Sequence, residues 1–122
     1  MTDRLFTVDE ASALLSDVVP LLETIKAAAD AMESLHEDVM SSVPTNGGGV
    51  AHARFIQASR DQDDAIVALN EMGILLREPA TGLIDFPAER DGQSIFLCFR
   101  LGEDRIAFWH DTESGFSGRQ PL

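Results

Sequence analysis

The chain has 122 residues, 44% of them apolar, a formal net charge of −12 and a single cysteine, Cys98. One cysteine excludes an intramolecular disulfide framework, and a chain of this length can bury enough surface to fold without a disulfide or metal staple. With Lys26 as its one lysine, it lacks the basic stripe that neutralises phosphates, which excludes nucleic acid as a partner and disfavours an anionic membrane surface.

The acidity is unevenly spread. Residues 1–73 carry 13 acidic and 4 basic side chains, whereas residues 74–122 carry 8 and 5. No basic-then-apolar leader stands at Met1, and no apolar run approaches the ~18 residues of a membrane span. The expectation is one soluble domain over 1–122, cytoplasmic, where a lone cysteine stays reduced.

Phe6-Thr7-Val8-Asp9-Glu10 reads as a helix start, with Thr7 as the cap and Glu10 completing a capping box. Leu14, Leu15, Val18, Leu22, Ile25, Ala29, Met32, Leu35 and Val39 follow at helical spacing. Pro20 lies inside that run. It removes a backbone donor and crowds the Ser16 carbonyl, so a kink or break is expected near Ser16–Val19. The stretch "SSVPTNGGG" ends the helix in a glycine-rich reversal; no Gly-Lys-Ser/Thr follows it, so it is not a phosphate loop.

A second helix is expected from about Val50 to Met72, stopped by Gly73 in the left-handed position. Its apolar face is interrupted at "SRDQDDA", opposite Ala27-Ala28-Ala29 of an antiparallel partner. Close alanine packing with Asp61, Asp63 and Asp64 turned outward explains that gap. Consecutive helical positions diverge, so these three do not form a cation site. Residues 1–73 thus predict a long antiparallel helical hairpin, paired as a coiled coil.

From Ile74 the period falls to two. "GLIDFP", "SIFLCFRL" and "RIAFWH" read as strands, separated by Asp91-Gly92 and by Gly102-Glu103-Asp104. Pairing Phe99 with Ile106 sets Leu97 opposite Phe108 and Ile95 opposite His110. Phe96, Cys98, Ala107 and Trp109 then share the other face. The predicted fold is α+β: a long antiparallel helical hairpin, then a three-stranded antiparallel meander over 74–122 ending in an ordered tail. Both sheet faces are apolar, and one hairpin covers only one of them, so a homodimer is expected.

"FTVDEASALL", "GLIDFPAERDGQSIFLCFRLGEDRIAFWH" and "GFSGRQPL" together resemble the bacterial domain-of-unknown-function family numbered 2203. The resemblance spans the first helix and nearly everything after Gly82, and the family pattern often has tryptophan where this chain has Phe99. It implies the fold boundaries and brings no activity, cofactor or catalytic residue.

The polar groups able to meet at the sheet are Asp85, Arg100, Glu103, His110, Asp111, Glu113 and Arg119. His110 with a carboxylate would make a general base, but no nucleophile has a recognisable elbow, and Cys98 sits mid-strand among phenylalanines as packing. A metal reading would use His110, Asp111 or Glu113, with Asp85 or Cys98. Lacking paired Cys/His spacings, it gives way to a histidine hydrogen-bonded at a strand end. Arg119 is expected to clamp the tail to Asp85 first or Glu103 second. Its functional reading is an anion pocket with the amides around Gly115 and Gly118. "GFSGRQPL" is expected to form a lid, with Phe116 on the face bearing Trp109 and Phe96.

These readings favour a non-catalytic interaction or assembly module with a protein partner and no cofactor or metal. The alternative is a small-anion binder using Arg119, Arg100, His110, Asp85, Glu103 and Trp109. A hydrolase or metal-assisted enzyme built on His110 comes third.

Overall fold

A computed structural model of the chain describes residues 4–41 and 49–122. Its elements are α1 (Val8–Ser41), α2 (Gly49–Met72), β1 (Leu75–Glu78), β2 (Leu83–Arg90), β3 (Gln93–Arg100), β4 (Phe108–Asp111), a short 3-10 turn (Phe116–Gly118) and β5 (Gln120–Pro121). The class is α+β, a helical hairpin on one antiparallel sheet in the order β1-β2-β3-β4-β5. No helix among the described residues is long and apolar enough to cross a membrane.

Local chemistry sets the helix ends. The Thr7 amide donates to Glu10 Oε1 at 2.9 Å and the Glu10 amide to Thr7 Oγ1 at 3.1 Å, the reciprocal pair of a capping box. At the end of α2, Gly73 takes φ 86°, its amide donates to Asn70 and the Ile74 amide to Leu69. Leu69 and Ile74 are both fully buried, adding the apolar contact of that motif. The glycine-rich reversal after Val43 lies outside the described residues.

α1 runs unbroken through Pro20, so the break expected near Ser16–Val19 does not occur. Pro20 faces solvent, while Val18, Leu22 and Ile25 are fully buried on either side of it. A helix-interior proline costs ~3 kcal/mol. Each large aliphatic side chain contributes roughly 1.5–3 kcal/mol on burial, so three of them hold the helix across the lost bond. The antiparallel sense shows in His36 lying beside Phe55 and Gln62 reaching the Ile25 carbonyl. Ala28 and Ala58 are buried in the alanine-lined seam, and Asp61, Asp63 and Asp64 point outward.

The sheet differs from expectation in strand number and register. It has five strands, not three: β1 adds to β2 at one edge, and the two-residue β5 adds to β4 at the other. The observed pairs between β3 and β4 are Ile95↔Asp111, Phe96↔His110, Leu97↔Trp109 and Cys98↔Phe108. That is one residue away from the expected Phe99–Ile106 pairing. The connection is the cause. Glu103 folds back on Arg100, its amide donating to the Arg100 carbonyl while its Oε1 accepts from the Arg100 amide. Ile106 then turns into the core instead of pairing. Residues 105–107 are therefore loop, and the slip exchanges the two faces of β4.

One face packs on the helices through Ile84, Phe86, Ala88, Ile95, Leu97 and Phe99, with Trp109 at its margin. The other face carries Asp85, Phe96, Cys98, Phe108 and His110. It is covered by side chains from β1 and by the C-terminal tail.

Gly82 and Gly92 both have positive φ. A Cβ on Gly82 would lie 2.8 Å from Leu101 Cβ, whereas one on Gly92 would meet nothing within 4 Å. Gly92→Ala should cost about 1–2 kcal/mol, the left-handed backbone term alone. Gly82→Ala should cost clearly more. Urea unfolding of the two variants checks the order, and equal losses would contradict the Leu101 contact.

Candidate functional site

The face turned away from the helices holds the chemistry. Strand alternation sends Ile84 and Phe86 to the helices and therefore Asp85, between them, to the far side, where it pairs in register with Cys98. The one-residue slip of β4 brings His110 to the same side. A bulge between Leu76 and Glu78 adds Arg77 from β1. Asp85, Cys98 and His110 are each 3% exposed or less. Their ligating atoms all lie within 4.8 Å of one another.

Asp85 is the hub. Its Oδ2 accepts from Arg77 Nε at 2.8 Å, and its Oδ1 lies 3.0 Å from His110 Nε2. His110 Nδ1 lies 2.6 Å from the Asp111 carbonyl oxygen, which only accepts, so Nδ1 carries a hydrogen. The other nitrogen, Nε2, then faces the Asp85 carboxylate oxygen. Both ring nitrogens are engaged.

The Cys98 sulfur lies within 4.8 Å of the Asp85 carboxylate and of His110. Burial, first, and then the neighbouring Asp85 charge push the thiol pKa up to about 12. Burial therefore keeps Cys98 in its thiol form at neutral pH, and a thiol is a poor nucleophile. Asp111 closes the turn after β4. Its Oδ1 accepts from the Glu113 and Ser114 amides, and these bonds hold its carboxyl below the usual range.

A pocket of about 290 Å³ opens beside the cluster, lined by Arg77, Asp85, Cys98, His110, Glu113 and Phe116 among others. A larger one of about 510 Å³ adjoins it at Phe96 and Thr112, but its lining has one ionisable side chain, Arg4. The chemistry belongs to the smaller pocket.

The tail closes one side of it. Arg119 Nη2 donates to both carboxylate oxygens of Glu103, at 2.8 and 2.7 Å. Its guanidinium lies over Phe108 at 4.1 Å and over Phe116 at 4.6 Å. Arg119 therefore uses Glu103, the second expected partner. Asp85, the first, is occupied by Arg77 and His110. Phe116 stands against Arg119 and Arg100, not on a face shared by Trp109 and Phe96, because the register separates those two rings. It keeps 39% of its surface exposed, so it contributes less than a fully buried ring.

The six expected ligand-binding residues thus separate into three places. Asp85 and His110 share the pocket, and Arg100, Glu103 and Arg119 make the tail clamp. Trp109 lies on the helix side under the Arg90 guanidinium. Arg77 was not foreseen, because β1 is too short to announce itself. Cys98 was read as packing, although its alternation with Leu97 and Phe99 marks it as facing the other way.

Apart from β1, which supplies Arg77, the segments contributing these side chains coincide with those that carry the family resemblance. A family model described as an uncharacterized conserved protein, DUF2203, matches residues 4–122. The chain belongs to the DUF2203 family. No curated protein and no solved structure matches it.

Two measurements check the site of this DUF2203 protein. The Cys98 thiol should resist an aromatic disulfide reagent at pH 8 until the chain unfolds. Its raised pKa stabilises the fold below the unfolded value of about 8.5, and that contribution disappears as pH climbs towards about 12. Rapid labelling of the folded chain would contradict this burial. Asp85→Ala leaves His110 and Arg77 without their shared partner and should cost about 3–5 kcal/mol. Arg119→Ala removes a less enclosed clamp and should cost about 1–3 kcal/mol. Denaturant midpoints in the reverse order would displace Asp85 from the centre of the site.

Proposed function

We propose that the DUF2203 chain is a non-catalytic binding module whose site is the pocket on the far face of the sheet, with the helical hairpin as its scaffold. One observation carries this reading: Asp85, Cys98 and His110 are buried together beside a pocket open to solvent. Apolar side chains of similar volume would stabilise that position at least as well. A chain folding for stability alone has no need of three ionisable groups there. The shared core of hairpin and sheet supports treating them as one domain, and the lone buried thiol suits a reducing, cytoplasmic setting.

Catalysis is the weaker reading. A general base needs a ring nitrogen facing the proton it removes, and both nitrogens of His110 are taken. The anion pocket at Arg119 is weaker too, because both carboxylate oxygens of Glu103 already accept from its Nη2. An anion there would have to displace a carboxylate held at 2.7 Å.

Assembly is a second reading with its own support. Leu5, Val8 and Leu122 are exposed around one groove between the start of α1 and β2–β3. A homodimer burying that groove is the form we infer, and the acidic coiled-coil hairpin remains available to a protein partner.

Amide NMR with a panel of phosphate, dicarboxylates, nucleoside monophosphates and divalent cations separates these readings. Binding should move resonances of residues 83–86, 96–98 and 108–116 and lose affinity in His110→Gln. Shifts confined to α1 and α2, or no shift with any member, would overturn the pocket reading. The mass of the same sample by light scattering decides the dimer.

A further inference from the structure

We propose that the floor of this pocket binds a borderline-soft divalent metal ion, Zn2+ by its chemistry, through Asp85, Cys98 and His110, with a fourth position open to the pocket. The inference rests on the binding-module reading and names its ligand.

The donor set selects the ion. Thiolate, imidazole and carboxylate suit zinc or its neighbours, while magnesium and calcium require oxygen ligands. Three protein ligands and one open position is the pattern of zinc sites that keep a place for water or a small ligand. Here the open position faces a pocket of about 290 Å³.

The geometry is close to that needed. Zn–N and Zn–O lengths near 2.0–2.1 Å and Zn–S near 2.3 Å put tetrahedral ligand atoms roughly 3.3–3.6 Å apart. The three donors already lie within 4.8 Å, and His110 Nε2 and Asp85 Oδ1 are 3.0 Å apart. Adjustments of about an ångström by side-chain rotation admit the ion.

The supporting contacts are also in place. The Asp111 carbonyl accepts from His110 Nδ1, leaving Nε2 as the nitrogen aimed at the cluster. Arg77 holds Oδ2 of Asp85, leaving Oδ1 for the ion. Outer hydrogen bonds of this kind orient the ligands of protein metal sites. Binding the ion would displace the Cys98 thiol proton, since zinc takes the thiolate. The acidic helices offer no comparable site, since among the described residues no other group of three His, Cys, Asp or Glu converges.

The test is a Co2+ titration of the untagged, chelator-treated chain, followed by displacement with Zn2+. One Co2+ per chain should appear with an intense thiolate-to-cobalt charge-transfer band and the visible bands of a four-coordinate ion, all removed by equimolar Zn2+. Cys98→Ser should abolish the charge-transfer band, and His110→Gln should weaken Co2+ binding at least 100-fold. The spectrum of the unaltered chain does not depend on either variant folding. His36→Gln with His52→Gln should leave it unchanged. Weak binding at many sites without a charge-transfer band, or a band surviving in Cys98→Ser, would overturn the proposal. If Zn2+ leaves the pocket amides unmoved while another member of the panel shifts them, the metal assignment fails and the binding-module reading stands. If nothing moves them, both fail.

Discussion

A carboxylate enclosed in the middle of a sheet has to be neutralised where it stands, and Asp85 sets that requirement for this fold. Arg77 from β1 and His110 from β4 hydrogen-bond Asp85, and Cys98 from β3 stands beside it. Leaving such a charge unpaired costs about 3–5 kcal/mol, a large share of the stability of a domain this size. A one-residue slip of β4 would send His110 towards the helices and leave Asp85 with the half-exposed Arg77 and a thiol. The carboxylate thus discriminates between registers that hydrophobic patterning leaves nearly degenerate.

The same face shows how a two-layer protein manages without a third layer. Arg77 lies over Phe96 at 4.9 Å, Arg100 over Phe116 at 5.2 Å, and Arg119 over both Phe108 and Phe116. Arg90 covers Trp109 at the other margin. Four of the five basic residues after Ile74 therefore sit on aromatic rings, each contact worth roughly 0.5–1 kcal/mol where exposed and more where water is excluded. Arginine stems and guanidinium planes cover apolar surface while keeping a wet edge. This accounts for the charge asymmetry of the chain. The C-terminal half needs its cations as a roof, and the helices carry the excess acid.

Much of the architecture was legible because it is local. The capping box at Thr7 and Glu10, the helix stop at Gly73 and the Asp91-Gly92 turn are short-range chemistry with short-range signals. The Glu103–Arg119 pair was within reach as one of two named partners, and Asp85 and His110 were both among the candidates. Register was not legible, for a physical reason: "SIFLCFRL" and "RIAFWH" are apolar on both faces, so a slip of one residue leaves a period-two pattern nearly as good as before. The deciding contacts, Glu103 folding back on Arg100 and Ile106 entering the core, are tertiary. β1 and β5 were missed because four residues and two residues carry no usable period, and Arg77 was lost with β1. Cys98 was seen, but which side of β3 matters depends on a carboxylate one strand away.

The clamp and the pocket are also mechanically one object. Phe116 lines the pocket and is held by Arg119, whose own position depends on Glu103 in the β3–β4 connection. Besides the Glu103–Arg119 pair, the tail is held to the sheet by β5 and by the Leu122 amide on the Ala107 carbonyl. Whatever fills the pocket and touches Phe116 must then favour the docked tail, and the docked tail must favour the occupant by the same factor, since coupling between two equilibria is reciprocal. Any ligand of the pocket would thereby be linked to Glu103 and Arg119, which pair with each other and not with Asp85 or His110. The ion pair at the end of the chain thus holds Phe116 where it walls the pocket beside Asp85.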